Sequence, residues 1–236
     1  MKILGMDSSG MVASVAVVEN DILVAEYTVN HKKTHSQTLL PMLDEIARMT
    51  ELELDSIDAI AVAAGPGSFT GLRIGASTVK ALAMALDKPV ISVPTCHGLA
   101  YNLWGTDKLV CPILDARRNQ VYTGVYEFLD GRLEVIKDQD AMGIDELVDL
   151  LNQIGGNVIF VGDGVPVYGS FIRGNLKSCF EFAPAGFNRQ RASSVAALGL
   201  QLYQEGIFEY ADDHKPIYLR KSQAEREREE QLKKED

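Results

Sequence analysis

The run Gly65-Pro66-Gly67-Ser68-Phe69-Thr70-Gly71 stands directly before a helix-sized apolar stretch. A glycine-rich loop that opens a helix suits anion binding, because free backbone N–H groups and the positive end of the helix dipole converge there. Gly67 and Ser68 are the contacts such a cradle would offer. The run is not a Walker A loop, since Leu72 and Arg73 follow its last glycine in place of Lys and Ser or Thr. A second reading competes: Gly71 and Gly75, one helical turn apart, lack side chains and let a second helix approach closely. Packing is the preferred reading and anion binding the alternative. Asp7, Ser8 and Ser9, followed by Gly10, form a turn of small hydroxyl residues that could also wrap a phosphate. Asp115-Ala116-Arg117-Arg118-Asn119 stands in the same place 108 residues later, with two bulky cations where close backbone approach would be needed. It reads as a solvated β-turn, with phosphate held by the arginine pair as the alternative.

The histidines offer no catalytic cluster. His31 and His35 have the four-residue spacing of metal ligands on a helix. The intervening Lys32-Lys33-Thr34 lacks the general-base glutamate of the HExxH pattern and would set two cations beside the metal. The pair therefore reads as an exposed helix start. His97 and His214 have no evident carboxylate or histidine partner nearby in sequence, and no Ser–His or Cys–His nucleophile pair is visible. Cys96, Cys111 and Cys179 are an odd number, far apart and without CxxC spacing, as expected of reduced thiols in a cytoplasmic protein. No metal and no cofactor are expected.

These residues must be positioned by alternating short elements. Strands are expected over 3–6, 12–18 and 22–29, forming a meander, followed by a helix over 36–49 with Ser36 or Thr38 as N-cap and Pro41 in its first turn. A near-continuous apolar strand at 57–63 leads through the glycine run into a helix at 71–86 and a strand at 89–93. A helix-sized stretch at 96–103 ends the first half. The second half repeats the order: strands 109–114, 121–128 and 132–137, helix 145–151 and strand 158–161. Residues 162–192 read as loop with an edge strand at 180–183, and helix 194–205 closes the fold at Gly206. Two lobes, 1–103 and 104–220, each a mixed β-sheet with packed helices, are the pattern of the duplicated actin-like, Hsp70-like (ASKHA) α/β fold. In working enzymes of that architecture the first hairpin of each lobe wraps nucleotide phosphates. Residues 221–236 hold five basic and six acidic side chains and form a charged tail outside any core.

At 236 residues, 46% hydrophobic and 24% charged, the composition is that of an ordinary globular protein. The net charge of −10 repels polyanions, so nucleic-acid binding by this chain alone is not expected. Asp7 cuts the first apolar run short of a secretory core, and no run approaches the ~20 residues that span a bilayer. No export and no membrane anchoring are expected.

Gly65-Pro66-Gly67-Ser68-Phe69-Thr70-Gly71-Leu72-Arg73-Ile74-Gly75, with Lys80-Ala81-Leu82-Ala83 behind it, resembles the hallmark of the TsaB family, formerly YeaZ. Flanking motifs match in order: Asp7-Ser8-Ser9, His35-Ser36 before Leu39-Leu40-Pro41, Asp115-Ala116-Arg117-Arg118, Gly162-Asp163-Gly164 and Pro216-Ile217-Tyr218-Leu219-Arg220. The resemblance implies a non-catalytic scaffold and dimerisation subunit that supports its catalytic paralogue TsaD. With a TsaE-type ATPase, that complex forms N6-threonylcarbamoyladenosine at position 37 of tRNAs reading codons that begin with A, and this chain meets tRNA only through the complex. TsaD carries two metal-binding histidines just after the strand that follows its glycine loop. The aligned positions here are Thr95 and Leu99, and His97 is out of register. The resemblance further implies that the helices at 36–49 and 71–86 pack on their counterparts in the partner as a four-helix bundle, or in a homodimer when the chain is alone. Leu39, Leu43, Ala47, Leu72, Gly75, Ala76 and Val79 are the candidate contacts, with the chain's own sheet as the alternative they could face. The competing functions are an actin-fold ATP-binding regulator and a metallopeptidase-like enzyme.

Overall fold

The computed structural model describes residues 1–220; the expected charged tail, residues 221–236, lies outside them. The first half runs β1 (Lys2–Asp7), β2 (Val12–Glu19), β3 (Ile22–Asn30), α1 (Leu39–Thr50), β4 (Ala59–Gly65), α2 (Phe69–Leu86), β5 (Val90–Pro94) and α3 (Thr95–Tyr101). The second runs β6 (Leu109–Asp115), β7 (Gln120–Leu129), β8 (Arg132–Gly143), α4 (Ile144–Ile154), β9 (Val158–Val161), α5 (Val165–Asn175), β10 (Phe180–Phe182) and α6 (Ala192–Gln204). Element for element the halves are the same. Their sheets have the matching orders β3-β2-β1-β4-β5 and β8-β7-β6-β9-β10, each an antiparallel meander continued by parallel strands. This is the duplicated actin-like fold.

The central strands of each sheet are buried on both faces, which is why β4 reads as Ala-Ile-Ala-Val-Ala-Ala-Gly with every residue buried. On one face of the first sheet, Leu39, Met42, Leu43 and Ile46 of α1 and Val79 and Ala83 of α2 join Leu4, Val15 and Val62 in one apolar cluster. Each such side chain larger than alanine contributes about 1.5–3 kcal/mol by leaving water. The other face is covered by α6, whose Val195, Ala196 and Leu198 meet Ile3, Ala61 and Ile91. Sequence order places α6 with the second lobe, yet it packs on the first. Conversely α3, from the first half, sends Cys96, Leu99 and Ala100 against Val110, Tyr126 and Val161 of the second sheet. The lobes thus exchange their last helices, because a chain leaving β5 reaches the bare face of the neighbouring sheet.

The structure corrects several expected boundaries. α2 begins at Phe69 because Ser68 supplies the N-cap, its side chain accepting the Gly71 N–H. β8 continues to Gly143, six residues beyond its expected end, along a bulged pairing with β7. The largest difference is α5, which occupies part of the expected 162–192 loop. Pro166 lies in its first turn, where proline is tolerated, and Gly169 leaves room for the Phe182 ring.

Candidate functional site

A cleft of about 510 Å³ lies between the lobes, walled by the β1–β2 turn, the glycine loop, the β6–β7 turn and residues 217–220. Of the sequence candidates Ser9, Gly67 and Ser68 line this cleft, with Asp7 and Ser8 buried behind them, and the serine donors are turned back on the protein. Asp7 Oδ1 accepts the Ser9 N–H at 2.8 Å and the Ser9 hydroxyl at 2.7 Å. The Ser8 hydroxyl donates to the Gly71 carbonyl at 2.9 Å, and the Ser68 N–H donates to the Ser9 carbonyl at 2.6 Å. Four donors of the two loops, the Ser8 and Ser9 hydroxyls and the Ser9 and Ser68 N–H groups, are therefore spent inside the protein.

The glycines complete this closure. A Cβ on Gly67 would strike the Ser9 carbonyl, one on Gly71 the Ser8 carbonyl, and one on Gly75 the Ser8 side chain. Gly71 and Gly75 do allow a close approach, and within the chain the neighbour is its own first hairpin. Burial pushes the Asp7 carboxyl up to about 6, against the opposing pull of the Ser9 hydrogen bonds. His35 was expected at an exposed helix start and is instead buried, with Nε2 2.8 Å from the Gly10 carbonyl. Since a carbonyl only accepts, that nitrogen carries the proton and ties the hairpin to the approach to α1.

The second hairpin repeats the aspartate turn in another setting. Asp115 Oδ1 accepts the Arg117 N–H at 2.9 Å and the Tyr168 hydroxyl at 3.1 Å, and the Asp115 N–H donates to Asp163 at 3.0 Å. Burial raises the Asp163 carboxyl. Arg117, Arg118 and Asn119 are three successive residues at positive φ, 65°, 57° and 57°.

At the two positions that the resemblance pairs with metal-binding histidines, the Thr95 hydroxyl accepts the Gly65 N–H at 3.1 Å and Leu99 is packed in the core. His97 lies edge-on to Tyr126, and burial pulls its pKa down. Among the described residues no three His, Cys, Asp or Glu side chains are grouped to hold a metal. Burial also pushes the Cys111 thiol up to about 12 and raises Cys96, so neither is a ready nucleophile. His214, for which the sequence offers no evident partner, has its Nδ1 2.8 Å from Glu209 and 3.0 Å from Ser92. That cluster fastens the segment after α6 to β5.

The helical interface candidates follow the alternative stated for them, facing the chain's own sheet. Leu39, Leu43, Leu72, Gly75, Ala76 and Val79 are buried in the chain's own first lobe, and Ala47 is half-buried. The reason is general: a helix lying on a sheet turns its most apolar stripe inward. The outward faces of the same helices carry Leu40, Met49 and Met84, exposed by 51%, 69% and 65%, with Ala81 and Ala85 between them on α2. A shallow groove between the helices is lined by His35, Ser36, Leu40, Ile74, Ser77 and Thr78. Sequence reasoning also missed Gln139 of β8, whose amide donates to the Gly65 carbonyl and accepts the Cys96 N–H, bridging the lobes at 3.1 and 3.3 Å. No local sequence signal marks that glutamine.

The family model described as TsaD, tRNA N6-adenosine threonylcarbamoyltransferase, matches residues 23–228. The tRNA threonylcarbamoyladenosine biosynthesis protein TsaB of Bacillus subtilis is 36% identical over 228 residues, covering 95% of this chain and 96% of that protein. YeaZ from Pseudomonas aeruginosa superposes with a TM-score of 0.77 at 24% identity, over 92% of this chain and 99% of that one. The inorganic polyphosphate/ATP-glucomannokinase of Arthrobacter sp. strain KM superposes at 0.52 with 11% identity, over 86% and 99%. These two likenesses are of fold.

Proposed function

Because the chain belongs to the TsaB branch of the TsaD family, we propose that it docks its catalytic paralogue through the outward faces of α1 and α2. It is a non-catalytic, TsaD-associated subunit in the formation of N6-threonylcarbamoyladenosine in tRNA. In this reading a TsaE-type ATPase and the tRNA, modified at adenosine 37, join only through the complex, and two copies of the chain pair by the same face when the paralogue is absent. The net charge of −10 supports indirect tRNA contact. Three free cysteines, and no helix among the described residues long and apolar enough to cross a membrane, support a cytoplasmic location.

The observation that carries the non-catalytic reading is the self-satisfied hairpin: Ser8, Ser9 and Ser68 spend on the protein the hydrogen bonds that an ATPase would spend on phosphate. It also weighs against the ATP-regulator alternative, as Thr95 and Leu99 weigh against the peptidase. The test is reconstituted threonylcarbamoyl transfer to tRNA. The chain alone is expected to give no product and the paralogue to depend on it. Leu40→Glu combined with Met84→Glu should abolish the complex in size-exclusion chromatography while leaving the circular dichroism unchanged, since exposed substitutions shift stability by only about 0.5 kcal/mol. Turnover of ATP or peptide by the isolated chain would refute the reading.

A further inference from the structure

Among the described residues a single exposed cation, Arg73, lines the α1/α2 groove in a chain whose net charge is −10. His31, Lys32 and Lys33 are exposed before α1, and Arg73 is exposed in the first turns of α2 beside Leu40 and Ile74. Among the described residues no carboxylate pairs with Lys32, Lys33 or Arg73. Of these cations Arg73 is the one held in place. Its guanidinium lies 4.1 Å over the Phe69 ring, and its Nε donates to the Tyr218 hydroxyl at 3.4 Å. The rings of Phe69 and Tyr218 are 4.7 Å apart. Tyr218 belongs to a strap that is itself tied to both lobes: the Ile217 N–H donates to the Ala64 carbonyl, and the Arg220 guanidinium to the Ala116 carbonyl, each at 2.7 Å. The strap crosses the inter-lobe cleft and, on the way, fixes a cation at the edge of the groove.

Resting on the reading of this groove as the docking face, we propose that Arg73 binds a carboxylate of the docked paralogue and that Tyr218 is its positioning residue. A guanidinium stacked on a ring presents its Nη edge in one orientation, the geometry that suits a bidentate carboxylate. With Nε on Tyr218, both Nη groups remain for the partner. An aspartate or glutamate on a docking helix is the chemistry that complements this one oriented cation, and the acidic remainder of the chain would steer it there.

The test is titration calorimetry of the paralogue at low and high salt. Arg73→Ala is expected to weaken binding about tenfold at low salt and to reduce its salt dependence, and Arg73→Lys, which keeps the charge and loses the fork, should fall between. Tyr218→Ala should weaken binding severalfold when Arg73 is present and not at all in the Arg73→Ala background, whereas Tyr218→Phe, which keeps the ring contact, should lose less. Faster hydrogen exchange at the Ile217 amide of free Tyr218→Ala, with unchanged circular dichroism, would show the strap loosened in a folded chain. The proposal is overturned if Arg73→Ala binds within twofold of the wild type with the same salt slope. It is equally overturned if Tyr218→Ala has the same effect in both backgrounds, the mark of a general structural role. Full-strength binding by the Leu40→Glu, Met84→Glu double variant would instead sink the docking-face reading, whatever Arg73 does.

Discussion

The first and second hairpins use one device in opposite ways. In each, an aspartate at the end of the first strand accepts the N–H two residues ahead, Asp7 from Ser9 and Asp115 from Arg117. The first hairpin is sunk: Asp7, Ser8 and Ser9 are exposed by 2%, 2% and 1%, and the glycine loop lies directly on their carbonyls. The second stands out, with the Arg117 side chain 87% exposed above a left-handed stretch of backbone. A duplicated turn therefore does not imply a duplicated role. Its hydrogen-bond grammar is local and survives the copying, whereas what it does is decided by what packs against it.

That contrast can be broken by substitution. Gly71→Val would drive a branched side chain into the Ser8 carbonyl, and should cost about 3 kcal/mol or more in urea denaturation. Arg117→Ala, at the copied turn, should stay within about 0.5 kcal/mol of the wild type. Equal costs would show that the two hairpins are packed alike.

Asp7 sharpens the contrast through pH. Its folded pKa, about 6, lies above the ordinary aspartate value of 3.8, so the folded state holds this proton more tightly than the unfolded state. Stability must then fall as pH rises from about 4 through 6, by about 3 kcal/mol for this group, and level off above. Asp7→Asn should flatten that portion of a stability–pH curve, and a curve unchanged by the substitution would mean that Asp7 is not a buried acid. Asp115→Ala has a different signature: it strips acceptors from the Arg117 N–H and the Tyr168 hydroxyl and should lower the melting temperature by the equivalent of about 1–2 kcal/mol.

Much of this architecture was legible in the order of the residues. The meander, the alternating helices and strands and the repeat from Asp7 to Asp115 follow from period and turn chemistry. The duplication even contained the missing piece, because a second copy of the plan requires a counterpart of α2, and α5 is that helix. It was masked by Pro166, Gly169 and Gly174, which read as loop residues when tertiary packing is out of sight. The exchange of α3 and α6 was invisible, since both helices bury apolar residues whichever sheet receives them. At the site, the residue types of Asp7, Ser8, Ser9, Gly67 and Ser68 pointed to the right place, but not to the partners of their donors. Those partners lie far away in sequence: Ser8 answers Gly71, and Ser68 answers Ser9. The apolar stripes of α1 and α2 looked equally suited to a partner or to the chain's own sheet, and only the fold decides which.

The smallest expected effect concerns the outward hairpin alone. Arg117 sits at φ 65°, where a Cβ crowds the following carbonyl, at a cost of about 1–2 kcal/mol for an L-residue other than glycine. Its side chain gives little back, since its contact with Asp115 spans 3.6 Å on an exposed surface. Arg117→Gly removes the steric cost but enlarges the freedom of the unfolded chain, which takes back part of the gain. The net expectation is a stabilisation of about 0.5 kcal/mol, visible as a small rise in the midpoint of a urea transition with an unchanged slope. The backbone hydrogen bond from the Gln120 N–H to the Arg117 carbonyl, 3.1 Å, holds the turn whichever residue occupies the position. A marked loss of stability would mean that the arginine side chain anchors this hairpin after all, and that the second turn, like the first, is held by what lies against it.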